Sequence, residues 1–347
     1  MTTGTRSDGE LGERLAARTL ELIDIPSESR DEAAIVAHVA EVLRAGGAEV
    51  RDLGDTCVLA GAGAPVLLSG HLDTVPAQGN RPGRRDAERV HGLGASDMKG
   101  AVAVMVELAL AGAGFDVLLF GREELPVAES ALSPLLAREP LSPELVVMME
   151  PTGNALHAGC LGNINARWTF TGVAGHSARP WDADNAIHKL ARGVAALAEL
   201  EPEEHDFGGL KFYEVASATI VSGGIAANVV PGSAEAHVNY RYAPGRTPAE
   251  AEARLADLCA GHGTLEITSN APSAPVALDN PHVARLRERG LPVAPKQAWT
   301  PVAEFGLAGI DAINFGPGEP SQAHASDESV RVAALVESDR VLEAFAP

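Results

Sequence analysis

Five short clusters carry side chains able to grip a cation or move a proton: His71-Leu72-Asp73, Asp97, Glu123-Glu124, Glu150 and His324. His71, Asp97, Glu124 and Glu150 follow one another at intervals of 26, 27 and 26 residues, each about one strand plus one helix. In His71-x-Asp73, the alternation of an extended chain sends both side chains the same way. One can then ligate while the other orients its ring. Two imidazoles and several carboxylates without a thiolate suit Zn²⁺, with Co²⁺ or Mn²⁺ as alternatives. Taken singly, Glu150 or His324 is an ordinary polar residue at a strand end. The coincidence of all five clusters points to a metal site.

The elements that must position them follow from the apolar pattern. Val66-Leu67-Leu68 leads into Gly70-His71, residues 117–120 lead into Arg122-Glu123-Glu124, and residues 145–149 lead into Glu150-Pro151. Residues 312–315 form a later strand, with His324 in the loop beyond it, and a helix is expected over 98–111. Continuous apolar runs alternating with helices predict an α/β fold with a mostly parallel sheet. The clusters would gather at its carboxyl edge, where open sheets bind ligands. The middle third differs. Strands over 165–172, 217–221, 234–242 and 264–269, with helices over 185–200 and 248–260, give βαββαβ, a ferredoxin-like α+β domain. The expected division is 1–158 with 272–347 for the catalytic domain, and 159–271 for an inserted lid or dimerisation domain.

Bulk properties narrow the field. With 47 acidic against 27 basic residues, a net charge of −20 repels phosphate backbones and anionic membranes. Neither nucleic acid nor membrane is expected as a partner. Three dispersed cysteines suit a reducing compartment, and the first residues show no apolar leader, so a cytoplasmic protein is expected. Gly92-Leu93-Gly94-Ala95-Ser96-Asp97 has the outline of a dinucleotide-binding turn. Asp97 occupies the third glycine's place, however, and would repel a pyrophosphate.

The motifs SGHLDTVP, GLGASDMKGAVAVM, REE, MEPTG, GVAGHSARP and HASDE stand in an order that resembles the M20 family of di-zinc amidohydrolases and peptidases. NAIH, NVVP, VNYRYAP and INFGPG extend the likeness over nearly the whole chain. Within the family the run is most similar to enzymes acting on N-succinyl-diaminopimelate. The resemblance implies two Zn²⁺, one on His71 and Glu150, the other on Glu124 and His324, with Asp97 bridging and often followed by a cis peptide. It implies that Asp73 holds the His71 ring and that Glu123 is general base and acid. His176, often from a partner subunit, would stabilise the developing oxyanion, while Arg241, Asn228 and Arg179 would bind substrate carboxylates. The implied function is amide hydrolysis in a small N-acyl amino acid within amino-acid biosynthesis, by a homodimer joined through the inserted domain. An aminoacylase, dipeptidase or carboxypeptidase is the alternative, and a silent amino-acid-binding relative would need a missing ligand or base. Pro301 and Glu304 replace an acid and a base of the expected pattern, which predicts an altered, more anionic substrate shell.

Overall fold

The computed structural model describes residues 7–346. Two compact units divide the chain: 1–158, 277–294 and 300–347 in the first, and 159–276 with 295–299 in the second. The first holds an eight-stranded sheet in the order Val50–Gly54, Cys57–Ala60, Asp116–Phe120, Val66–His71, Leu145–Met148, Ala312–Asn314, Leu156–Ala158, Val293–Pro295. Its four central strands, Asp116–Phe120 to Ala312–Asn314, are parallel. All their residues are buried, which is why they read as unbroken apolar runs. Register puts His71 level with Phe120 and Ser69 level with Met148. The residues that follow therefore emerge together at one edge.

Helix Gly100–Leu110 is buried from Gly100 to Leu108, so it has no polar stripe and lies within the layers. Helix Asp8–Asp24 opens with a Ser7–Glu10 capping box and buries Leu11, Leu15 and Leu22. Its last carbonyls are closed by the buried Lys99, whose Nζ donates to Leu22 O and Ile25 O at 2.9 Å each. The charged stretch before the glycine loop forms Arg84–Arg85 and Arg89–His91, which pair with Ser329–Arg331 in a separate three-stranded sheet. Among the described residues, no helix is long and apolar enough to cross a membrane.

The second unit is an antiparallel sheet in the order Glu203–Phe207, Leu210–Gly223, Ser233–Tyr242, Gly162–Thr171, Thr264–Ala271. Helices Ala186–Ala198 and Pro248–Leu258 belong to it, and Trp168, Phe170, Tyr240 and Leu255 are in its core. It has the expected α+β architecture, its main sheet having one strand more than βαββαβ. That strand, Glu-Glu-His-Asp-Phe, is a charged edge strand with no apolar alternation to reveal it. Gly208 and Gly209, both at positive φ, make the two-residue turn that pairs Phe207 with Leu210.

Candidate metal centre

His71 ends its strand and presents Nε2 to Asp97 Oδ1 at 3.2 Å and to Glu150 Oε1 at 3.9 Å. Asp97 turns its other oxygen, Oδ2, to within 3.8 Å of His324 Nε2. His324 Nε2 also lies 3.0 Å from Glu124 Oε2. One aspartate thus faces two imidazoles, each with its own glutamate. The Asp97–Met98 peptide is cis. All five side chains belong to the first unit. They are well buried except His324, whose side chain is 53% exposed.

Asp73 does more than the resemblance implies. His71 Nδ1 is 3.0 Å from the Asp73 backbone carbonyl and 3.5 Å from its carboxylate. The carboxylate oxygens also accept from Glu123 N at 3.0 Å, Glu124 N at 3.1 Å and Ser29 Oγ at 2.7 Å. The Asp73 backbone therefore orients the histidine ring, and its side chain grips the segment carrying both glutamates.

The electrostatics are those of too many carboxylates in one buried place. Burial, then the charges of Glu150, Glu124 and Asp97, push Glu123 well above the usual carboxylate range, against the pull of His71. Burial opposes protonation of His71, but Asp73, Asp97 and Glu123 outweigh it and hold the imidazole well above its ordinary value. Glu124 holds His324 up at about 9 against the cost of burial. A low-dielectric cluster of five carboxylates and two imidazoles calls for added positive charge. Oxygen and imidazole donors facing each other across Asp97 fit a pair of divalent cations.

Residues expected from the inserted domain fall into two places within the second unit. His176, Arg179 and Asn228 are exposed around a short ladder in which Gly175 and His176 pair with Val230 and Val229. Ser177 N donates to Asn228 O at 3.0 Å, and Arg179 N to His176 O at 2.8 Å. Arg241 is elsewhere. It pairs with Asn163, whereas Ser233 pairs with Thr171, so Arg241 lies about 26 Å along the strand from Ser233. Arg241 Nε donates to Asn239 Oδ1 at 3.0 Å, and burial lowers its pKa.

Glu304 corrects an expectation. Its side chain is 3% exposed and accepts from Ser130 Oγ at 2.9 Å and Ser133 Oγ at 2.6 Å. It is a packed residue of the first unit, not a charge on a substrate shell. Ser29 and Glu328, the latter only as the last residue of the HASDE motif, contact the segments that carry the centre without having been given a role from the sequence. Their signal was limited to position, Glu328 four residues past His324 and Ser29 in the turn before the second helix.

Comparison with known proteins places the family. Residues 159–264 match the peptidase dimerisation domain of M20 proteins. A Mycobacterium tuberculosis protein provisionally named succinyl-diaminopimelate desuccinylase is 40% identical over 94% of this chain and 96% of its own. N-acetyl-L-citrulline deacetylase of Xanthomonas campestris is 34% identical over 83% of each chain. Among solved structures, the YXEP protein of Bacillus subtilis, a dinuclear metal-binding peptidase of the M20 family, superposes with a TM-score of 0.68 at 14% identity, covering 97% of this chain and 98% of that one. A desuccinylase-like relative at 40% identity over almost the full length is decisive for the family. The chain belongs to the M20 family and is an amidohydrolase.

Proposed function

We propose that this amidohydrolase cleaves the amide bond of a small N-acyl amino acid, with N-succinyl-diaminopimelate as the leading substrate. The observation that carries the chemistry is Asp97 set between two histidine–glutamate pairs, with the buried Glu123 feeling the charges of Glu150, Glu124 and Asp97. His71 and Glu150 would hold one divalent cation, Glu124 and His324 the other, with Asp97 shared. Bound Zn²⁺, or Co²⁺ or Mn²⁺ in its place, supplies Lewis acidity toward the amide carbonyl and the attacking water. Glu123 accepts the proton of that water at a carboxylate oxygen and returns it to the leaving nitrogen. Burial and the neighbouring carboxylates raise its pKa, which favours its taking up a proton. Asp73 keeps Glu123 and Glu124 in register through their backbone N–H groups.

The substrate class rests on the relatives, one provisionally a desuccinylase and another a deacetylase of N-acetyl-L-citrulline. The buried position of Glu304 removes the charge argument against an anionic acyl group. Deacylation of another N-acyl amino acid is the second reading, favoured by the deacetylase relative. A homodimer belongs to the proposal. Strand Leu210–Gly223 pairs with Glu203–Phe207 only as far as Glu214, and beyond that it carries the exposed Ile220 and Val221. An open apolar edge of this kind is suited to pairing with a second copy. In that assembly His176, with Arg179 and Asn228, would serve the partner's substrate, while Arg241 would bind a carboxylate. The buried thiols Cys57, Cys160 and Cys259 agree with a reducing, cytoplasmic setting.

The test is a hydrolysis screen of N-succinyl-diaminopimelate, N-acetyl amino acids and dipeptides with Zn²⁺ or Co²⁺ added. Succinyl cleavage with the highest kcat/KM supports the leading reading. Preference for an acetyl amino acid moves the assignment to the second, and turnover confined to dipeptides would refute both.

A further inference from the structure

The glycine loop that outlines a phosphate-binding turn already has an anion, supplied by the chain itself. Glu328, 2% exposed, accepts from Gly94 N at 2.8 Å through Oε2, and from Ser96 N at 2.8 Å and Asp97 N at 2.9 Å through Oε1. Gly94 at φ +78° turns the backbone so that these amides converge, making the kind of concave N–H cradle that binds anions. The backbone of Glu328 is fixed as well, since Gly92 N donates to Glu328 O at 2.9 Å, next to the pairing of Ser329 with His91.

The same short segment carries His324, four residues earlier. His324 sits at φ +62°, a conformation that L side chains adopt rarely and that neighbours must hold. Two side-chain amides donate to that stretch of backbone. Gln78 Nε2 donates to His324 O at 2.9 Å, and Asn80 Nδ2 donates to Ala325 O at 3.4 Å. Asn80 O in turn accepts from Leu93 N at 3.1 Å, within the glycine loop. Ser96 is tied by its hydroxyl to Glu319 on the approach to His324. The loops bearing Asp97 and His324 are thus stapled to each other by groups that touch neither imidazole.

We propose that Glu328, with Gln78, is a positioning residue of the metal centre: its carboxylate fills the 94–97 amide cradle and sets Asp97 and His324 at the separation that two cations require. This rests on the metal-centre reading above, but it concerns cation affinity and needs no substrate. Failure of the substrate assignment would leave it untouched. A glutamine at 328 keeps the shape but turns an N–H₂ toward a cradle N–H, so at least one bond is lost and donor faces donor. Groups that orient ligands typically cost 10- to 100-fold in metal affinity when removed.

The experiment strips metal from the full-length chain and titrates Zn²⁺ against a chromogenic chelator. Glu328→Gln should fold, as shown by cooperative thermal unfolding of the metal-free protein, and bind Zn²⁺ about 10- to 100-fold more weakly. A folded Glu328→Gln protein with affinity within about twofold of the parent overturns the proposal. If that variant does not fold, Gln78→Ala decides, because Gln78 is exposed and releases only the His324 carbonyl. Affinity about tenfold weaker then supports the staple. Unchanged affinity refutes it.

Discussion

In the proposed reading the adjacent glutamates take separate tasks on a backbone that Asp73 fixes. Asp73 accepts from both N–H groups, Glu124 reaches His324, and Glu123 stays among the carboxylates that raise its pKa. Glu124→Gln should therefore lower bound metal toward one equivalent per chain, measured by elemental analysis after dialysis. Retention of two equivalents would count against its role as a ligand. Asp73→Asn places an N–H₂ against one of the two backbone donors and should weaken metal binding about 10- to 100-fold, read by chelator competition. Unchanged affinity would mean that the Asp73 grip is dispensable. His71 ends a buried parallel strand, and Glu124 and Glu150 each lie just past one, which is why the sequence pattern singles them out. Asp97, by contrast, sits in the turn Ala95–Lys99 after a strand of the separate three-stranded sheet and not at an end of the parallel sheet. Asp73's second task was not legible. Its partners are backbone amides some 50 residues away, and a backbone amide leaves no mark in composition or spacing.

At the scale of elements, the parallel strands and their helices were legible as unbroken apolar runs, and the charged hairpin strand Glu203–Phe207 was not. Glu304 shows the opposite failure, where a departure from a motif suggested a changed substrate shell. The carboxyl instead packs inside helix Val302–Leu307's contact with helix Leu132–Arg138, accepting from two serines, while its Oε2 is buried without a hydrogen-bond partner. Burial raises its pKa, against the serine hydrogen bonds. The folded state then holds this proton more tightly than the unfolded chain, whose glutamate titrates near about 4.3. Stability from this residue is complete below that pH and is lost as pH rises through the raised folded value. Glu304→Gln should flatten the decline of Tm as pH rises above about 4.3, relative to the parent. Parallel Tm curves for the two proteins would contradict a buried, titrating Glu304.

At the scale of the molecule, Arg241 lies in the five-stranded sheet of the second unit and His176 in a separate two-stranded ladder, and the proposed reading has the site draw on two copies. Ile220→Asp with Val221→Asp places charge on the open edge of Leu210–Gly223, where both side chains are more than half exposed. Light scattering should show the double variant falling from two chains to one, with metal content unchanged and hydrolysis lost. A dimeric double variant, or a fully active monomer, would contradict the two-copy site. The central claim of the proposed chemistry is that Glu123 moves protons and holds no metal. It is tested most directly by measuring bound metal and hydrolysis of N-succinyl-diaminopimelate together in the parent and in Glu123→Gln. The expected result is two equivalents of metal in both proteins and a loss of about 10²- to 10⁴-fold in kcat for the variant. Near-parental kcat, or metal loss equal to that of Glu124→Gln, would contradict it.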